Sequence, residues 1–203
     1  MKIAVVGASG NAGSRIVAEL ARRGHAITAI ARHPENIAKL PHVTAVAGDV
    51  HDQPSMTRLL SGHDAAISSV HFLDSDPAKL VAAARDSKVG RYLVVGGAGS
   101  LEVAPGVRLV TTPGFPVQYK AEAEKGAAFL DLLSAEKQVN WTFLSPSALF
   151  IAGERTGKFR LGTDQLLTGP DGKSWISFED FAVALADEIE HPAHIRQRFT
   201  VGY

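Results

Sequence analysis

A chain of 203 residues suffices for one globular domain, which would bury about 70% of its unfolded surface. Its 21 Lys and Arg balance its 21 Asp and Glu, so no net field draws it to nucleic acid or an anionic membrane. The absence of Cys excludes disulfides, thiol nucleophiles and thiolate metal sites.

The first apolar run, KIAVVG from Lys2, reads as a strand. It is too short for a signal peptide or a membrane span, so a cytoplasmic protein, monomeric or homodimeric, is the expectation. Asn11 to Arg23 then sets Ile16, Val17, Leu20 and Ala21 on one helical face and Ser14, Arg15, Glu19, Arg22 and Arg23 on the other. Gly24 stops that helix. Further strands follow at AITAIA (from Ala26), VTAVAG (Val43), DAAISSV (Asp64), RYLVVGG (Arg91) and VNWTFLS (Val139). Runs apolar on both faces suit buried parallel strands. Pro34, Pro54 and Pro77 each stand where a first helical turn is expected, with Asp76 as an N-cap.

A helix from Gln118 to Lys137 carries Tyr119, Ala123, Ala127, Leu130 and Leu133 on the stripe expected to face the sheet. LLTGPDGKSWIS (166–177) reads as two short strands around a Pro-Asp-Gly turn. Ser177 and Asp180 open a capping-box-like helix that runs to Glu190, and RFTVGY forms a last strand. The predicted fold is α/β: one domain over residues 1–203 built on a doubly wound parallel sheet, with loops at about 97–117 and 146–172.

The chemistry-bearing motif is GASGNAG, Gly7-Ala8-Ser9-Gly10-Asn11-Ala12-Gly13, between the first strand and the first helix. Gly7 allows a tight turn, Gly10 a close backbone approach, and Gly13 helix–sheet packing. An anion such as a pyrophosphate would sit on the helix N-terminus. The context of strand, turn and helix is what gives a glycine pattern its meaning. An acidic residue after the second strand would bind the ribose 2′-OH of NAD, but IARHP offers none, and Arg32 suits a 2′-phosphate. The missing acid tips the reading towards NADP(H), with NAD(H) possible; Arg32 as a solvated strand-end residue is the other reading. Asp49 and Val50 either meet the adenine or simply shape a loop.

GASGNAG, the GDV after the third strand, RYLVVGGAGSL, WTFLSPSALF, ISFEDFA and the closing RFTVGY together resemble the atypical short-chain dehydrogenases/reductases. More narrowly, GGAGSL and RFTVGY resemble the small NADH-flavin reductases and biliverdin-IXβ/flavin reductase. The resemblance implies a seven-stranded parallel sheet with a dinucleotide across the carboxyl ends of its strands. It also implies that Ser68, Ser69 and Val70, together with Pro146 and Ser147, line the nicotinamide half. By the same resemblance Ser100 matches the catalytic serine, and Lys120 matches a lysine that contacts the nicotinamide ribose.

Typical members use a Tyr and a Lys four residues apart, stacked on one helix face, as the proton-donating dyad. The three tyrosines, Tyr92, Tyr119 and Tyr203, are followed four residues later by Gly96, Ala123 and nothing, so no such dyad exists. Tyr119 and Lys120 are adjacent, hence about 100° apart around the helix. Tyr119 is expected inward; Lys120 is expected at the cofactor ribose or in an ion pair with Glu124. Ser100, Tyr119 and Lys120 are the catalytic candidates. Without the dyad, the chain suits an acceptor that takes its proton from water: a flavin, a quinone or another planar molecule. Leu101, Phe115, Phe150 and Phe159, with Phe72 nearby, are either its pocket or core under long loops. The alternative function is a dinucleotide-binding redox sensor with little turnover. His191 and His194 read as surface residues rather than metal ligands, His71 as weak evidence for a substrate contact, and ERTGKFR (154–160) as a solvated loop. No metal is expected.

Overall fold

The structure is a computed structural model that describes residues 1–203. In chain order the main elements are β1 (Lys2–Val6), α1 (Asn11–Arg22), β2 (Ala26–Ala31), β3 (Val43–Ala47), α2 (Gln53–Leu60) and β4 (Ala65–Ser68). Then come α3 (Pro77–Ser87), β5 (Arg91–Val95), β6 (Glu102–Ala104), β7 (Val107–Arg108), α4 (Val117–Ala135) and β8 (Trp141–Pro146). The chain closes with β9 (Leu149–Ile151), β10 (Arg160–Gly162), β11 (Trp175–Ser177), α5 (Phe178–Glu190) and β12 (Gln197–Gly202).

The central sheet has eight strands in the order β10-β12-β8-β5-β4-β1-β2-β3. The seven from β12 to β3 run parallel, as expected, and β10 adds an antiparallel edge by pairing Arg160–Gly162 against β12. Strand order reverses between β1 and β4, which leaves a crevice at their carboxyl ends. The alternation of the strands splits the core in two. Ile3 and Val5 of β1 pack with α1 and α5, whereas Ala4 and Val6 face α2, α3 and α4. No helix is long and apolar enough to cross a membrane.

Local chemistry explains the helix ends. Asp76 caps α3 by accepting from the N–H groups of Ala78 (2.9 Å) and Lys79 (3.3 Å), with Pro77 at the first position. The Ser177 hydroxyl caps α5 by accepting from the Asp180 N–H at 3.0 Å. The reciprocal half of the capping box is absent, because the buried Asp180 carboxylate instead accepts from the Gly157 N–H, the Thr156 hydroxyl and the Tyr203 hydroxyl.

One expectation for the second half of the chain is corrected. The Pro-Asp-Gly turn forms, closed by Gly169 N–H to the Lys173 carbonyl at 2.7 Å, but its flanks do not pair as a hairpin. Trp175–Ser177 instead lies parallel to Leu149–Ile151, a partner some 26 residues away that no local pattern reveals. The segment ERTGKFR is the solvated loop expected, exposed except at Phe159, but it is tethered. Arg155 makes two hydrogen bonds to Glu19 at 2.8 and 3.0 Å, and Thr156 and Gly157 bind Asp180. Glu19, expected on the solvent side of α1, is a buried hub that also receives Arg22 and Arg23. Burial alone would raise its pKa, but the three guanidinium groups overcome that and hold it far below the usual carboxylate range.

Candidate cofactor and acceptor cleft

The crevice at the β1/β4 reversal opens into a cleft of about 620 Å³ that runs from the end of β2 and β3, across the glycine turn, to the start of α4. Gly7, Ser9, Gly10, Asn11, Ala12, Arg32, Asp49, Val50, Ser69, Val70 and Tyr119, all singled out in the sequence, line it. The rest of the predicted set lies outside the lining. Ala8, Gly13 and Ser68 are buried behind it, Lys120 is exposed beside it, and Pro146 and Ser147 are buried at the end of β8.

The glycine turn is shaped for an anion. Gly7 has φ +80°, and a Cβ there would lie 2.1 Å from the Ser69 carbonyl oxygen. At Gly13 a Cβ would lie 2.1 Å from the Gly7 carbonyl oxygen, so the helix can sit this close to the turn only without a side chain. Gly10 differs: a Cβ would touch only the Gly7 carbonyl oxygen at 3.3 Å, with its remaining surroundings open to the cleft. Gly10 is also the N-cap of α1 and supplies no side-chain cap, so the first-turn N–H groups are left for a ligand or water. An open approach, uncapped amides and the positive end of a 12-residue helix fit a dinucleotide pyrophosphate.

At the adenosine end, Arg32 follows β2, is exposed, and has no carboxylate partner; the neighbouring His33 pairs with Glu35 at 3.1 Å instead. A free guanidinium on the lining, with no acid beside it, suits a 2′-phosphate. Arg32→Ala is expected to weaken NADPH binding about tenfold and leave NADH within about twofold, the size of one charge-assisted phosphate contact. Isothermal titration with both dinucleotides checks this, and equal losses would refute the role of Arg32. Asp49 uses one oxygen to accept from the His51 N–H at 2.9 Å, which makes it a loop-shaping residue, yet it also faces the cleft beside Val50.

The other end of the cleft holds residues that the sequence pattern did not bring together. Glu122, on α4, accepts from the N–H groups of Phe72 (2.7 Å) and Leu73 (2.9 Å), and its carboxylate lies 3.4 Å from His71 Nδ1. One carboxylate thus pins the loop after β4 to α4. Phe72 is seated against Gly126, where a Cβ would lie 2.6 Å from its ring, and it meets Phe129 edge-on at 6.2 Å. Phe150 and Phe178 form the opposite wall, edge to face at 4.6 Å, with the Arg15 guanidinium 5.8 Å above Phe178. Glu122 stands three residues after Tyr119, on the same helical face; that spacing was the signal available in the sequence.

The three catalytic candidates do not assemble. Tyr119 lines the cleft but is 63% exposed rather than packed inward. The reason is that α4 begins beyond the strand ends, and its first buried residue is Gly126. Ser100 is buried and lines a separate polar groove with Arg108, Asp131, Asp164 and Arg198, not the cleft. The Ser147 hydroxyl is committed to the Val201 carbonyl at 3.0 Å. Among the apolar candidates, Phe72 and Phe150 reach the cleft, while Leu101 is buried and Phe159 packs on the α1/α5 core. His194 is not a free surface residue: it bonds Glu188 at 2.8 Å and stacks on Phe199.

The family model described as NAD(P)H-binding matches residues 7–192. The protein YwnB of Bacillus subtilis (strain 168) is 39% identical over 209 residues, which covers 99% of this chain and 98% of that protein. A solved structure from Streptococcus pneumoniae TIGR4, SP1627, named "a putative NADH-flavin reductase", is 37% identical with a TM-score of 0.87 over 100% of this chain and 99% of that one. Another, from Bacteroides thetaiotaomicron and named a "putative epimerase", is 38% identical with a TM-score of 0.95 over 100% and 96%. The names of these two structures point to different reactions, so the choice of reaction for this chain rests on its own cleft.

Proposed function

The chain belongs to the NAD(P)H-binding family, and from that premise we propose that it is a reductase that passes hydride from NADPH to a planar acceptor such as a flavin or quinone. The observation that carries this reading is the continuity of the cleft. An anion-binding glycine turn opens directly onto an end walled by Phe72, Phe150, Phe178 and Tyr119. Flat aromatic walls suit a flat ring system and favour its stacking on a second ring.

The dinucleotide supplies the hydride when bound; the chain supplies position and a partly dry surface. Gly7 and Gly10 bring the backbone to the pyrophosphate, the α1 N-terminus holds its charge, and Arg32 takes the 2′-phosphate. Val70 and Ser69, next to the crowded Gly7, sit where a nicotinamide would meet the strand ends. No Tyr-x-x-x-Lys dyad exists, so an acceptor that draws its proton from water fits, and a carbonyl needing a protein acid does not.

The test is to follow oxidation of NADPH at the nicotinamide absorbance band with flavins and quinones as acceptors. Turnover with a planar acceptor and none with simple ketones is expected. Tight NADP binding without turnover on any planar acceptor would replace this reading with dinucleotide sensing.

A further inference from the structure

The only basic charge of the cleft stands at one of its ends. Arg32, the one Arg or Lys on the lining, lies at the adenosine end, where it offsets Asp49. At the other end the ionisable side chains are the carboxylates of Glu122 and Asp74, with His71 and Tyr119 beside them. Asp74 is exposed and has no ion-pair partner, and Glu122 is held in place by two backbone N–H groups and faces no Lys or Arg. The nearest cation on the far wall, Arg15, is already paired with Glu179 at 3.1 Å. Lys120 on α4 lies outside the lining. Leu73 and Val117, which flank these lining residues, are 55% and 82% exposed and give this end an apolar margin.

From this distribution we infer that the acceptor end selects uncharged planar rings and rejects those carrying an anionic arm: riboflavin or a quinone over a flavin phosphate or a carboxylated tetrapyrrole. The inference rests on the hydride-transfer reading of the same cleft and names its substrate class. Like charges about 10 Å apart in water weaken binding about twofold per pair. A flavin phosphate with about two charges would face two carboxylates, and the phosphates of the bound dinucleotide add to the same sign. Partial screening leaves about a fivefold preference at low salt. An uncharged ring loses nothing to that field and gains the aromatic walls.

Riboflavin and FMN share one isoalloxazine ring and differ only in the phosphate, so their comparison isolates the charge. With NADPH as donor, kcat/KM for riboflavin is expected to exceed that for FMN about fivefold at about 0.01 M salt, and the two should converge at about 0.5 M. Asp74→Asn should narrow the low-salt gap by raising FMN. Binding of each flavin to the NADP+-loaded protein, read by quenching of flavin fluorescence, measures the same preference apart from turnover. If neither flavin is reduced, the hydride-transfer reading fails while the order of binding still decides the selectivity. FMN equal to or better than riboflavin at low salt, in binding or in turnover, overturns the inference; an advantage that survives high salt and Asp74→Asn overturns its electrostatic basis.

Discussion

Gly13→Ala is expected to lower NADPH affinity more than 100-fold. The added Cβ would lie 2.1 Å from the Gly7 carbonyl oxygen, 3.0 Å from the Gly7 carbonyl carbon and 3.2 Å from Ala8 Cα. All three are backbone atoms, so no side chain can swing aside. Gly7 cannot retreat cheaply, because the N–H groups of Gly7 and Ala8 both donate to the Ile30 carbonyl, at 2.9 and 3.1 Å. The turn must therefore lift from α1 by more than an ångström, which misplaces the amides and the dipole at once. Overpacking of this kind also costs about 1–3 kcal/mol of stability. Gly24→Ala is the matched control: it has φ +80° with nothing within 4 Å, so it should cost about 1 kcal/mol and leave affinity unchanged. Fluorescence titration with NADPH beside thermal melting separates the two effects. Retention of affinity within about threefold in Gly13→Ala would refute this account of the turn.

Glu188→Ala should be the most destabilising change away from the cleft, at about 3–5 kcal/mol. Glu188, buried on α5, bonds Arg91 at 2.7 Å and His194 at 2.8 Å, and accepts from the N–H groups of Ala193 and His194. Its removal leaves the buried Arg91 guanidinium without a counter-charge, held only by the Glu188 backbone carbonyl at 2.6 Å and the Thr142 hydroxyl at 2.8 Å. For a chain of this length the melting temperature falls about 2–4 °C per kcal/mol, so a loss of about 6–20 °C is expected by calorimetry. The double change Arg91→Met with Glu188→Leu should recover much of it, because a stranded charge costs more than a missing pair. Burial raises the Glu188 pKa, but hydrogen bonds from His194, Arg91 and Ala193 outweigh burial and hold it below its ordinary 4.5. A carboxyl depressed in the folded state stabilises fully above the unfolded value and loses that contribution as pH falls through the folded one. Wild type should therefore lose stability below about pH 4.5 more steeply than the double variant.

The parallel sheet was legible because most of its strands are buried on both faces and must be written in Val, Ile and Ala. The edge strand β3, written mostly in the same residues, is half-buried to exposed. Runs such as AITAIA and DAAISSV state their burial residue by residue. The glycine half of the cleft was legible for a related reason: Gly7 to Gly13 is contiguous, and each glycine answers a steric demand made within the same turn. The acceptor end is different. Phe72, Glu122 and Phe178 meet across spans of about 50 residues each, and nothing local to any one of them announces the others. Tyr119 misled the helical stripe because periodicity gives the direction of a side chain but not where the sheet stops. Glu19 misled it as well, since a carboxylate opposite the apolar stripe reads as solvated unless its distant arginine, Arg155, is known.

The Glu19 cluster and the Glu122 contact tie the two walls of the cleft to the fold in different ways. Helix α1 is bound at its carboxyl end to α5 through Arg23 and Glu190, and to the 154–160 segment through Arg155, so the glycine turn at its other end stands on a helix anchored to two other segments. The loop after β4 is tied to α4 twice, by the Glu122 carboxylate and by Phe72, which is seated against Gly126 and Phe129. A helix fixed in advance lowers the ordering cost of docking a dinucleotide, and a loop pinned by both a carboxylate and a buried ring offers a preformed wall at the other end. On the hydride-transfer reading, donor and acceptor would thus each meet a surface already in place before they dock.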